Sequence, residues 1–150
     1  MDRNDSPPAD IHLAPPPWTL NAKLYLFFTI LKPVNREDPI LQGLPPGSYH
    51  PSENMHPSAL APINGSPQWK GGLTCMVLVR YEQSPVGPYD ELIVTYDGFA
   101  NPHEKKATSA RITNIYVSSR KTVWNGRNNW STFFYLSFSR PCSLTIPRYT

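Results

Sequence analysis

Eighteen of the 150 residues are proline. Each one fixes φ near −65° and removes a backbone donor, so helix interiors and central strands reject it. Long helices are therefore a poor reading of this chain, and extended strands joined by irregular loops are the better one. Residues 33–70 alone carry Pro33, Pro39, Pro45, Pro46, Pro51, Pro57, Pro62 and Pro67. A stretch that long without regular structure is unusual in a compact domain; it reads either as a lid or binding loop or as surface decoration.

The length allows one domain with a modest core. Apolar residues make up 39% and charged residues 17% of the chain, which argues against wholesale disorder. The net charge of +3 is too small, and its lysines and arginines too scattered, to point to nucleic acid. The start, MDRNDSPPADIHLAPPPW, has acids and prolines where a secretory signal has an apolar run. The apolar segment Leu24–Leu31 is too short to span a bilayer. Cys75 and Cys142 are the two cysteines, and Cys75 lies in an apolar strand pattern that suits a buried free thiol. The expectation is a cytoplasmic protein with no membrane partner, in which the Asn64-Gly-Ser and Asn129-Trp-Ser sequons carry no meaning.

Residues 1–17 read as a flexible proline-rich leader. An apolar strand follows at about Leu20–Leu31; its apolar residues are contiguous, which suits a strand covered on both faces. In LTCMVLVRYE, Leu73, Cys75, Val77, Val79 and Tyr81 alternate with Thr74, Met76, Leu78, Arg80 and Glu82. The loop QSPVGPYD leads into ELIVTYDGF, a probable-hairpin pattern with a proline-bearing turn, and RITNIYV adds a further strand. Ser118 or Ser119 can cap a short helix through RKTVWNGRNN. Gly126 weakens that helix by about 1 kcal/mol relative to alanine, which implies a close approach to its backbone.

Few residues carry chemistry. His50 and His56 share a loop, with His12 and His103 elsewhere, but no cysteine or carboxylate stands at metal-site spacing around them. Neither a nucleophile elbow nor a phosphate-binding glycine loop is present. Trp18 and Trp69 read as core anchors. Glu91 opens an apolar strand, where poor solvation would raise its pKa and suit it to proton handling; the alternative is a strand-start glutamate facing water.

The block SPVGPYDELIVTYDG, followed by ARITNIYVSSRKTVWNGRNNW, resembles the acetoacetate decarboxylase superfamily, and most closely its fungal branch. The likeness runs from about Trp18 to Trp130. Its specific parts are Gly87-Pro88-Tyr89-Asp90-Glu91 and the later Gly126-Arg127, in that order. The resemblance implies a mainly β (α+β) fold: a curved antiparallel sheet or barrel, here incomplete, with one short helix. It implies an active-site carboxylate at Glu91, with Tyr89, Arg127 and Lys23 lining a substrate pocket, no cofactor and no metal. It also implies Schiff-base decarboxylation of a small β-keto acid or related carbonyl compound, possible homo-oligomers, and, in some relatives, aldol condensation or dehydration by the same lysine.

That chemistry needs a neutral lysine amine, because only an imine offers the electron sink for the departing carbon dioxide. Disfavouring the ammonium of a lysine takes about 5–6 kcal/mol, supplied by a desolvated pocket or a neighbouring cation, as is known for acetoacetate decarboxylase. The family spacing puts proline and lysine at 133 and 134, where this chain has Phe133 and Phe134, and no lysine follows Lys121. Lys105 and Lys106 lie in a polar turn, and Lys121 lies on the capped helix; both sites read as wet. Residues 131–150 thus read as a non-family tail on a truncated or mis-spliced member. The segment STFFYLSF has the pattern of an added edge strand or of an aggregation-prone run. Three functions remain open: an inactive decarboxylase-like protein, a non-catalytic binder of an apolar carbonyl compound, and a β-rich interaction module.

Overall fold

The computed structural model describes residues 8–34, 43–51, 68–101, 107–130 and 134–136. They form β1 (Asn21–Leu31), β2 (Gly72–Gln83), β3 (Tyr89–Ala100), β4 (Thr108–Val117), α1 (Arg120–Trp130) and β5 (Tyr135–Leu136). The strands lie in one sheet in the order β1-β2-β3-β4-β5. The mainly β class expected from the sequence is what forms. Among the described residues no helix is long and apolar enough to cross a membrane.

The β2–β3 connection shows how local sequence sets register. Gly87 N donates to Ser84 O at 3.0 Å, which places Pro85 at the second position of a β-turn, where its fixed φ fits. The Ser84 hydroxyl donates to Gly87 O and accepts from Val86 N, and Gly87 takes φ +89°, a value costly for any residue with a Cβ. The turn pairs Tyr81 with Tyr89, Arg80 with Asp90 and Val79 with Glu91.

Directly paired residues share a face of the sheet. One row therefore runs Leu24, Val79, Glu91, Val117; the next, on the opposite face, runs Tyr25, Leu78, Leu92, Tyr116, Tyr135. The first face packs beneath α1, where Val86, Tyr89, Ile115, Val117 and Phe134 are buried with Trp18, Tyr81, Ile93 and Val123 against them. The opposite face holds Leu44, Trp69, Tyr96 and Phe99, with Leu31, Tyr49 and Val94 alongside. Trp69 is 1% exposed, and its Nε1 donates to Asp97 O at 2.6 Å, so the indole is buried with its polar atom satisfied. The segment 43–51 covers this face: Asn114 Nδ2 donates to Ser48 O at 2.7 Å, and the His50 ring stacks on Tyr135 at 3.8 Å.

Two expectations are corrected: the purely antiparallel sheet and the covered first strand. The sheet is mixed, not antiparallel, because α1 carries the chain back so that β5 runs parallel to β4. Among the described residues the sheet is open. The contiguous apolar run of β1 is not covered: every residue from Asn21 to Ile30 is exposed, since β1 is an edge strand and neither core cluster extends over it. The described part of the leader, residues 8–17, makes hydrogen bonds to α1. Asn125, fully buried on α1, accepts from Ala14 N at 2.8 Å and donates to His12 O at 3.1 Å, and Asn129 donates to Ala14 O. Most of the 35–67 stretch, His56, His103, Lys105, Lys106, Phe133 and Cys142 lie outside the described residues.

Candidate carboxyl site beneath helix α1

Glu91 sits near the start of β3, between Val79 of β2 and Val117 of β4, on the face that α1 covers. It is 7% exposed. Desolvation pushes its carboxyl above the usual range, and a hydrogen bond with Tyr89 offsets part of that rise. The water-facing alternative is thereby excluded. Tyr89 lies two residues earlier on the same face, and burial together with the nearby Glu91 charge pushes its phenol far above the ordinary value. Tyr81, across the hairpin, stacks on Tyr89 with ring centroids 4.4 Å apart and is pushed up by the same two causes. The three side chains form one short polar thread within an aromatic wall.

The helix above them is built from its own ends. Ser119 O accepts from Val123 N at 3.1 Å and so occupies the N-cap position, while Ser118 Oγ accepts from Asp90 N and ties the helix start to β3. Thr122, Asn125 and Gly126 are its buried positions. A Cβ added to Gly126 would meet three Phe134 ring atoms, at 2.6, 2.6 and 2.9 Å. The close approach that the glycine implied is thus a contact with the aromatic ring of residue 134. Phe134 is 7% exposed and belongs to the same buried cluster as Tyr89 and Val117, the β4 partner of Glu91 in register.

Arg127 turns to the tail backbone: its Nη2 donates to Phe134 O at 2.7 Å, and its Nε is buried without a hydrogen-bond partner. Of the residues that the resemblance assigns to a substrate pocket, the fold brings Tyr89 and Glu91 into contact and joins Arg127 to Phe134. It does not bring Lys23 to them. Lys23 pairs in register with Arg80 on the opposite face, and its ammonium bonds to Glu82 in solvent. A groove of about 360 Å³ opens at the hairpin end, with Arg80, Tyr81, Glu82, Tyr89, Asp90 and Ser118 in its walls. Tyr81 and Tyr89 are the residues it shares with the Glu91 thread. Among the described residues, no group of three His, Cys, Asp or Glu side chains could hold a metal ion.

Two contributors escaped the sequence reading. Tyr81 was placed on the Val79 face, but its stack on Tyr89 needed the hairpin register; counting back from the Pro85 turn would have supplied it. Asn125 had no signal at all, because one polar residue in a polar helix segment looks like solvent-facing surface.

What the site can do follows from these groups. A buried carboxyl whose pKa is raised by desolvation is suited to donating or taking a proton, and the side chain that α1 meets at residue 134 is a hydrocarbon ring. Comparison with protein-family models, with curated proteins and with solved structures yields no match to this chain.

Proposed function

We propose that this chain is a catalytically silent, cytosolic acetoacetate decarboxylase-like protein: it keeps the carboxyl side of a Schiff-base pocket for a small β-keto acid and lacks the amine. The observation that carries the reading is the packing of Phe134 on Gly126. The ring fills the volume next to the Gly-Arg turn, and the sequence resemblance assigns that position to lysine. Supporting it, Glu91 is buried and biased toward its neutral form, the state a general acid needs but one that cannot replace an imine as electron sink.

The test is borohydride reduction of the protein mixed with acetoacetate, followed by peptide mass mapping. The expected result is no lysine adduct and no carbon dioxide release above buffer, whereas Phe134→Lys gains an adduct at position 134. An adduct on any lysine of the unaltered chain, or turnover of a 3-oxo acid by it, overturns the proposal.

A further inference from the structure

β1 is an edge strand that lacks the usual protection. Edge strands are blunted by charge, proline or bulges. Between Leu24 and Leu31 this one has no charge, proline or glycine, and among the described residues no strand pairs with its outer side. Its large apolar residues are exposed on both faces. Leu24, Leu26, Phe28 and Ile30 stand at 51 to 77% on the α1 face, while Tyr25 and Phe27 stand at 36 and 53% on the other. A layer packed on the sheet would cover only one of these sets. A lateral neighbour covers part of both at once, so the shortfall is of a strand.

We propose that the neighbour is β1 of a second copy, paired antiparallel about a twofold axis through Phe27. That register sets Leu24 against the partner's Ile30, Leu26 against Phe28, Tyr25 against Thr29 and Phe27 against itself. It places Lys23 opposite Leu31 and Lys32 opposite Ala22, so the lysines that flank the run never meet. A copy shifted by one residue would set Lys23 against Lys32. The run is thus self-complementary in the way an isologous interface requires. The six exposed residues amount to about three and a half fully exposed ones, on the order of 600 Å² at roughly 170 Å² each, of which a lateral strand covers a part. That lies below the ~800 Å² per partner of a standard interface and fits a weak, reversible dimer. The pairing closes on itself about the twofold and uses up the β1 edge of each copy.

Sedimentation of the whole chain across about 1–100 μM tests this, read together with Phe27→Lys and Phe27→Glu. The expected mass rises from the 17.0 kDa of one chain to twice that. Each variant alone stays monomeric over the whole range, and an equimolar mixture of the two dimerises again. Because Phe27 is 53% exposed in one copy, a charge there leaves the single chain folded, which far-UV circular dichroism verifies. A wild type that remains monomeric, variants that dimerise as the wild type does, a mixture that fails to recover, or a mass that grows past two copies each overturns the proposal.

Discussion

Replacing Gly126 by alanine sets two known effects against each other. Alanine is the better helix residue by about 1 kcal/mol, and α1 has a regular interior at this position. Against that, the new methyl would lie 2.6 to 2.9 Å from three ring atoms of Phe134, where carbon–carbon contacts settle at about 3.5–4.0 Å. The ring would have to retreat by about 1 Å, yet it is buried against Tyr89, Ile115 and Val117 and has little room to do so. Overpacking of that kind costs about 1–3 kcal/mol. Gly126→Ala should therefore be neutral to destabilising by about 2 kcal/mol. With the ring removed in Phe134→Ala, itself costing about 3–5 kcal/mol, the same substitution should stabilise by about 1 kcal/mol. The double-mutant cycle then gives a coupling of about 1–3 kcal/mol. Urea unfolding of the four proteins measures it, as midpoint shifts at a constant slope. A Gly126→Ala effect of the same sign and size in both backgrounds would refute the packing of Phe134 on α1, and with it the observation on which the proposed function rests.

Glu91 gives a pH signature. Its pKa is raised in the folded protein, so the folded state holds its proton to higher pH than the unfolded chain does; stability is greatest below the unfolded carboxyl pKa and declines as pH rises through the folded one. Glu91→Gln should remove that decline and be the more stable protein at pH 7, measured as melting temperature against pH; parallel wild-type and variant curves contradict the burial assigned to the carboxyl. Asn125→Ala removes the acceptor for Ala14 N and the donor to His12 O from a fully buried position, and should cost about 2–3 kcal/mol. It should also release residues 8–17 to proteolysis, read by limited digestion; unchanged cleavage there would mean that the leader is held by Trp18 and its edge-on contact with Trp130 instead.

Strand positions were legible because they rest on local information. The alternation in LTCMVLVRYE and the Pro85 turn need nothing beyond their own neighbours, and β2, β3 and β4 lie within three residues of where those patterns put them. The demand of Gly126 for a close neighbour was equally local. What failed was long-range. A contiguous apolar run states that a strand is hydrophobic on both faces, but not whether anything in its own chain covers it; β1 satisfies the pattern and remains bare. Lys23 illustrates the same limit. Its number in the strand fixes its face only once the β1–β2 register is known, and that register sends it to Glu82, away from Glu91. In the leader, proline-rich composition predicts the lack of helix and strand, but says nothing of the hydrogen bonds that Asn125 and Asn129 of α1 make to its backbone at residues 12 and 14.

The two ends of the sheet's α1 face are therefore in different states, and this separates the site from the association surface. Near Glu91 the face is roofed by α1 and sealed by Phe134, so its apolar side chains are already out of water; no partner could gain from contact there without displacing the helix. Toward Ile30 the same face, together with exposed Leu73 and Ile112, has no roof among the described residues. Apolar burial contributes about 25 cal/mol per Å², so the driving force for association resides at the open end and scarcely at all at the closed one. The buried carboxyl site and the exposed β1 edge are thus separate features of one sheet. A substitution at Phe134 or Glu91 changes the local stability of the α1 end while leaving the β1 edge as it was, and a charge at Phe27 does the reverse. Loss of self-association in a Phe134 variant would show instead that the two ends are coupled through β2 and β3, and that the roof over Glu91 is what holds the edge strand in its register.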